Sequence, residues 1–280
     1  MQPIPTYILS DAAGEHARLE PAPFTAYSLP EAVAHEPTGV YTVARTFKGD
    51  HALLLDAHLD RLEQSAQLVG IPLALDRARL RAALRDLLHQ AGFPDAKFRI
   101  TVPQSDPGQI YLSLEPLVPV PAEVLQQGAH VITSPFVRPD PVAKRTDWMD
   151  MRRPVQEKLG NGVYEAVLVS AEGRLLEGLS TNFYGVLAGE LRTAGSGILE
   201  GITRKAVLQI APEVVPVRLD ALHRDDVPHL TEAFLTSSGR GVVPVVQVDD
   251  VVIGDGSVGP LTRAIGERYD TWTLTHSEPI

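Results

Sequence analysis

The chain has 280 residues, 44% hydrophobic and 21% charged, with a formal net charge of −10, enough to bury a core as one large domain or two modest ones. The acidic balance argues against a nucleic-acid partner, which is held by clustered Lys and Arg, and leaves room for a small anionic substrate at a local positive site. There is no cysteine, which removes disulfides, thiolate metal sites and cysteine nucleophiles together.

Residues 1–38 are rich in Pro and Ala and carry little periodic signal; no signal peptide is visible at Met1-Gln2-Pro3-Ile4-Pro5. No apolar run reaches membrane-spanning length. The expectation is a cytoplasmic protein with no membrane partner. From Gly39 the character changes. Residues 40–47 read as a strand turned at Lys48-Gly49-Asp50, with 52–55 as its hairpin partner. Leu59, Leu62, Ala66 and Val69 fall at helical spacing, closed by Gly70 and Pro72. A second helix is expected from an Asp76 N-cap to Gly92, burying Leu80, Leu84, Leu87 and Leu88. Phe98, Ile100 and Val102 alternate with polar residues as a half-buried strand, paired with 110–114. Three prolines in 116–121 mark a linker. Beyond it come a strand at 131–137, a helix at 147–159 carrying Pro154, and strands at 163–170 and 181–187. A helix at 202–211 follows, then strands at 232–236, 242–248 and 251–253. The division predicted is a small α/β domain over 1–116, a linker over 117–130 and a larger β-rich domain over 131–280.

The chemistry gathers between Lys144 and Arg204. Lys144 is one of only five lysines and follows the apolar Val142-Ala143, a setting that permits the burial an imine-forming amine requires. Glu177 closes the apolar Leu175-Leu176 and is a candidate partner for a pyridine nitrogen. Gly201-Ile202-Thr203 opens a helix whose first N–H groups can hold an anion. An amine, an acid and an anion cradle are what pyridoxal phosphate needs from a protein. Each feature alone is equally well a surface lysine, a strand-end acid or an ordinary helix start. Two other motifs fail: Gly195, Gly197 and Gly201 have the wrong spacing for a dinucleotide fingerprint, and His51 and His58 form no zinc pair, so no metal is expected.

The order and spacing of these features resemble the class IV (fold type IV) aminotransferases, the family of branched-chain and D-amino-acid aminotransferases and aminodeoxychorismate lyase. Lys144 precedes Glu177 by 33 residues, and Glu177-Gly178-Leu179-Ser180-Thr181-Asn182-Phe183 looks like the family's Glu-Gly-x-x-x-Asn-hydrophobic signature. His58-Leu59-Asp60-Arg61-Leu62, Gly201-Ile202-Thr203-Arg204, Phe234 to Ser238 and Gly259-Pro260-Leu261-Thr262 are similar to further family segments. The resemblance implies a two-domain α/β (α+β) fold and pyridoxal phosphate as cofactor. Lys144 would be the catalytic amine and Glu177 the partner of the ring nitrogen. Arg61, Ile202, Thr203 and Ser238 would anchor the phosphate, and Arg45, Arg99 and Arg240 are candidate substrate-carboxylate partners. It further implies a homodimer acting on an amino acid and a 2-oxo acid. A pyruvate-eliminating lyase is the alternative reaction, and a non-catalytic dimeric binding protein the alternative of another class. The chain departs from the family pattern at Thr42, which stands where the family has a glutamate, and at Arg145 to Met149, which lacks the Asn-Tyr pair of branched-chain enzymes.

Overall fold

The computed structural model describes residues 2–10 and 18–280; Met1 and residues 11–17, part of the Pro- and Ala-rich N-terminal stretch, lie outside the described residues. The chain forms two compact units. One comprises 1–118, 143–148 and 273–280, the other 119–142 and 149–272.

In the first unit, β1 (Thr6–Ser10) and β2 (Arg18–Pro21) form an antiparallel pair and α1 (Leu29–His35) follows. These three elements lie in the stretch where sequence periodicity showed nothing. They are too short for a periodic pattern to register, and α1 is set by its Ser28 N-cap, which accepts from Glu31 N–H. β3 (Gly39–Phe47), β4 (His51–Leu53), α2 (Leu55–Leu68), α3 (Arg77–Ala91), β5 (Ala96–Pro103) and β6 (Gln109–Pro116) come next. A seven-stranded sheet runs in the order C-terminal strand (Ser277–Pro279), β4, β3, β5, β6, β1, β2. One sheet face carries Val40, Ala44, Phe98, Ile100, Val102, Leu112 and Leu114 in a core with Leu59, Leu62, Leu80, Leu84 and Leu87 of the two helices. That is the predicted period of two against a period of 3.6. α3 begins and ends where its caps dictate. The Asp76 side chain accepts from Arg79 N–H, and Gly92 takes the left-handed conformation at φ 64°.

The second unit contains α4 (Ala122–Gln127), β7 (Ala129–Ser134), α5 (Trp148–Gln156, beginning in the first unit), β8 (Val163–Val169), β9 (Leu175–Gly178), β10 (Asn182–Leu187) and β11 (Glu190–Arg192). It continues through α6 (Ile202–Ile210), β12 (Val217–Arg218), β13 (Glu232–Ser237), β14 (Gly241–Val248), β15 (Val251–Val252) and α7 (Pro260–His276), the last turn of which belongs to the first unit. β10, β13, β14, β7, β8 and β9 pair in turn, and β9 returns to β10 through Glu177 opposite Asn182, closing a six-stranded barrel. One expectation is corrected, and two elements were not anticipated. The strand predicted over 131–137 ends at Ser134 because Pro135 has no N–H for the ladder. The stretch predicted as linker contains α4. α7 was not anticipated; its start is fixed from a distance, the Glu232 carboxylate accepting from the N–H groups of Leu261 and Thr262 at 3.0 and 2.7 Å.

Candidate active site

In the first unit, Lys144 sits on a short segment zipped to the start of β3. Tyr41 N–H donates to the Lys144 carbonyl at 3.0 Å, Thr146 N–H donates to the Gly39 carbonyl at 2.9 Å, and Gly39 N–H donates to Thr146 Oγ1 at 2.8 Å. The Lys144 N–H donates to Ser65 Oγ of α2 at 3.1 Å. Its backbone is therefore tied to two elements, while the half-buried side chain places Nζ 4.5 Å from the centroid of the Tyr41 ring. That distance is within the range of a cation–π contact.

Arg61 lies on the buried side of α2 and is only 7% exposed. Its Nη2 donates to Thr42 Oγ1 at 3.2 Å, and Thr42 Oγ1 lies 2.8 Å from His58 Nδ1. His58, Arg61 and Ser65 thus form a polar row on the otherwise apolar buried face of α2, each with a bonded partner. Of the candidate carboxylate partners, Arg99 is 2% exposed and donates from Nε to Glu36 Oε2 at 2.9 Å; its guanidinium stacks 3.8 Å from the Tyr41 centroid. Arg45 lies over the Phe47 ring at 4.4 Å, with Nε buried and without a hydrogen-bond partner among the described residues.

In the second unit, Glu177 is 4% exposed at the seam that closes the barrel. Leu199 N–H donates to its Oε2 at 3.0 Å, and Arg138 Nη1 stands 3.8 Å from its Oε1. The backbone N–H on one oxygen and the guanidinium facing the other hold this buried carboxylate in one orientation. Asn182 donates from Nδ2 to the Leu199 carbonyl at 2.8 Å, so the segment that holds Glu177 is itself held from the opposite strand. Next along the chain, α6 begins at Ile202 with no side-chain cap. A Cβ at its N-cap, Gly201, would stand 2.3 Å from Asn182 Oδ1, a distance no side chain tolerates. The Ile202 and Thr203 amides open a buried helix start whose N-cap residue offers no side-chain cap.

Ser238 occupies the turn between β13 and β14. Arg240, two residues on, donates from Nη1 to Glu165 Oε2 at 2.8 Å and from Nε to Ser237 Oγ at 3.1 Å. Burial works against its charge, and the Glu165 carboxylate and Tyr164 together more than offset this, holding the guanidinium above its ordinary value. The first unit thus brings together Lys144, Arg61 and Arg99 around β3 and α2, and the second places Glu177, Ile202 and Thr203 on one barrel seam and helix start. Tyr41, Ser65, Arg138 and Glu36 carry no motif and were not singled out from sequence. A polar residue repeated on a buried helical face was the available signal for Ser65.

Among the described residues there is no group of three or more His, Cys, Asp or Glu able to hold a metal, and no helix is long and apolar enough to cross a membrane.

Comparison with known proteins gives a consistent result. The family model described as amino-transferase class IV matches residues 39–248. The branched-chain-amino-acid aminotransferase of Pseudomonas aeruginosa is 28% identical, the match covering 84% of each chain. The D-alanine aminotransferase of Bacillus licheniformis is 30% identical over 81% of this chain and 84% of that one. The crystal structure of a branched-chain amino acid aminotransferase with pyridoxamine 5′-phosphate superposes with a TM-score of 0.81 at 23% identity, covering 98% of this chain and 95% of the other.

Proposed function

This chain belongs to the class IV aminotransferases, and we propose that it moves amino groups between an amino acid and a 2-oxo acid with Lys144 as the imine-forming amine. Its activity is that of a pyridoxal-phosphate-dependent aminotransferase. The observation that carries the assignment of residues is Glu177, a buried carboxylate fixed by Leu199 N–H and faced by Arg138.

The residues present fit the cofactor. Gly201 keeps Cβ out of the helix start, and the uncapped amides of Ile202 and Thr203 suit a phosphate, with the Ser238 hydroxyl of the same unit as a further donor; Arg61, in the other unit, is assigned to the phosphate on family likeness alone. Glu177 would hold a proton on the ring nitrogen. When bound, pyridoxal phosphate supplies an aldehyde that condenses with amines and a ring that takes up the electron pair of a broken Cα–H bond. Lys144 supplies the amine and, once displaced by the substrate's amine, its Nζ takes and returns the Cα proton. The backbone bonds from Tyr41 and Ser65 hold that amine in place. Of the expected substrate-carboxylate partners, Arg99 is taken up by Glu36 and Arg240 by Glu165, which leaves Arg45, with no carboxylate partner among the described residues, as the candidate. We further propose a cytoplasmic homodimer, on family likeness alone; a native mass of twice 30.3 kDa is expected, and a monomer would overturn it.

The test is an absorption spectrum of the protein with added pyridoxal phosphate, before and after borohydride, for wild type and Lys144→Ala. A visible band lost in the variant, with reduced cofactor fixed on the Lys144 peptide, is expected. Absence of fixed cofactor on that peptide would overturn the assignment. Pyruvate release without an oxo-acid acceptor would instead identify a lyase.

A further inference from the structure

Arg99 is spent inside the protein rather than left for a ligand. Its Nε donates to Glu36 Oε2 at 2.9 Å and to Thr101 Oγ1 at 2.8 Å. Glu36 accepts in addition from Thr101 Oγ1 at 2.6 Å and from Ser113 Oγ at 3.1 Å, so both of its oxygens are bonded. The side chains of the pair are 2% and 1% exposed. A buried ion pair of this kind contributes little net stability for its desolvation cost. Arg99 Nη2 is moreover buried without a hydrogen-bond partner among the described residues. What the guanidinium does contact is the Tyr41 ring, at 3.8 Å, and the same ring lies 4.5 Å from Lys144 Nζ.

We propose that the Glu36–Arg99 pair is a positioning device that fixes Tyr41 against Lys144 and sets how readily that lysine gives up its proton. The proposal rests on the reading of Lys144 as the imine-forming amine. Arg99 holds the ring by stacking, and the ring offers its electron-rich face to the ammonium. Glu36 supplies the second half of the device. The two cations are no further apart than the sum of their distances to the ring, about 8 Å. A bare guanidinium there would lower the amine's titration by about one pH unit at an effective dielectric constant of about 30. Glu36 cancels that field, so Arg99 can orient the ring without its charge driving the proton off Nζ.

The other charged or titratable groups on elements packed against Lys144 are Arg45 of β3, His58 and Arg61 of α2, and Arg145 on its own segment, paired with Asp147. The carboxylates of α2, Asp56, Asp60 and Glu63, are taken up by Arg77 and Arg81. None of these groups is altered by the variants below.

The chain's five lysines make the test direct. Reductive methylation with carbon-13 formaldehyde labels them in the cofactor-free protein, and Lys144→Ala identifies the Lys144 methyl signal, whose shift against pH gives its titration and whose upfield displacement reports the Tyr41 ring. Glu36→Gln is expected to lower the titration by about one pH unit, because the Arg99 charge is left uncancelled. The double variant Glu36→Gln/Arg99→Gln is expected to recover most of that lowering, stopping short of the wild-type value by what the ring contact supplied, while losing at least half of the ring-induced displacement. A purely structural pair would not produce that combination. Should Glu36→Gln not fold, the double variant decides alone, and an unchanged ring displacement overturns the proposal, as does an unchanged titration in a folded Glu36→Gln. Borohydride fixation of pyridoxal phosphate on the Lys144 peptide is measured separately. If fixation fails, the reading of Lys144 falls; if fixation succeeds and the methyl signal does not respond, only the role of Glu36 and Arg99 falls.

Discussion

Gly201→Ala is the sharpest perturbation of the helix start. The backbone there, φ −65° and ψ 142°, is open to any residue, so alanine brings no conformational strain. The whole cost comes from its Cβ, which meets Asn182 Oδ1 at 2.3 Å. To reach an ordinary contact the amide must retreat by about 1 Å. Asn182 is not free to do so, because its Nδ2 donates to the Leu199 carbonyl at 2.8 Å. Losing that bond costs about 1 kcal/mol, and forcing a methyl into a packed site about 1–3 kcal/mol. The same residue, Leu199, donates its N–H to Glu177, so the disturbance reaches the acid as well as the Ile202 and Thr203 amides. We expect a fall in melting temperature of about 5 °C and a loss of pyridoxal phosphate affinity of about tenfold or more, measured by thermal unfolding and by fluorescence titration. Gly92→Ala is the control. Its site is open but φ is +64°, so it should cost about 1 kcal/mol of stability and leave cofactor affinity unchanged. Equal affinity in Gly201→Ala and wild type would overturn this account of the helix start.

Glu177→Gln keeps the shape but removes the charge faced by Arg138; turnover should fall by at least a hundredfold with cofactor still bound, read by steady-state kinetics beside the absorption spectrum. Leu62→Ala, on the buried stripe of α2 with no exposure, should cost about 2–5 kcal/mol by urea unfolding. The hydrogen bond and charge of Arg81 outweigh partial burial and hold the Asp56 carboxyl below its ordinary value. Asp56 therefore adds stability above its unfolded pKa, and that stability is lost as pH falls through the lower folded value. Arg81→Gln should shrink the acid-side loss below about pH 4 and leave the slope near pH 7 unchanged, followed by thermal melts against pH.

How much of this was legible depended on whether one stretch of chain carried its own cause. α3 was readable to the residue because Asp76 and Gly92 are local stop signals and Leu80, Leu84, Leu87 and Leu88 repeat at the helical period. β3, β5 and β6 were readable because alternation reports a sheet with one face in the core. α7 was hidden because the acid that receives its first amides, Glu232, lies about thirty residues earlier. The partners in the candidate site were hidden for the same reason. Glu36 meets Arg99 from 63 residues away, and Ser65 reaches Lys144 from 79.

One signal in the sequence reaches further than the single arginine read from it. Along α2, Leu55, Leu59, Leu62 and Ala66 form the apolar stripe, and His58, Arg61 and Ser65 are buried beside it. Three buried polar residues on one helix impose a desolvation cost that a helix kept only for its core would not carry. A fold retains them where each has a partner, and here Thr42 bonds both His58 and Arg61 while Ser65 holds the backbone of Lys144. That cost marks α2 as the helix that holds the lysine, with Arg61 as one member of a bonded row. Ser65→Ala tests that step. It removes a hydroxyl that accepts from Lys144 N–H and donates to the Arg61 carbonyl at 2.7 Å. It should cost about 1–2 kcal/mol in unfolding, since a buried N–H is left without its acceptor. It should also slow turnover more than it weakens substrate binding, because it loosens the segment that carries the amine. A loss of stability with unchanged kcat would mean that Ser65 serves the core alone.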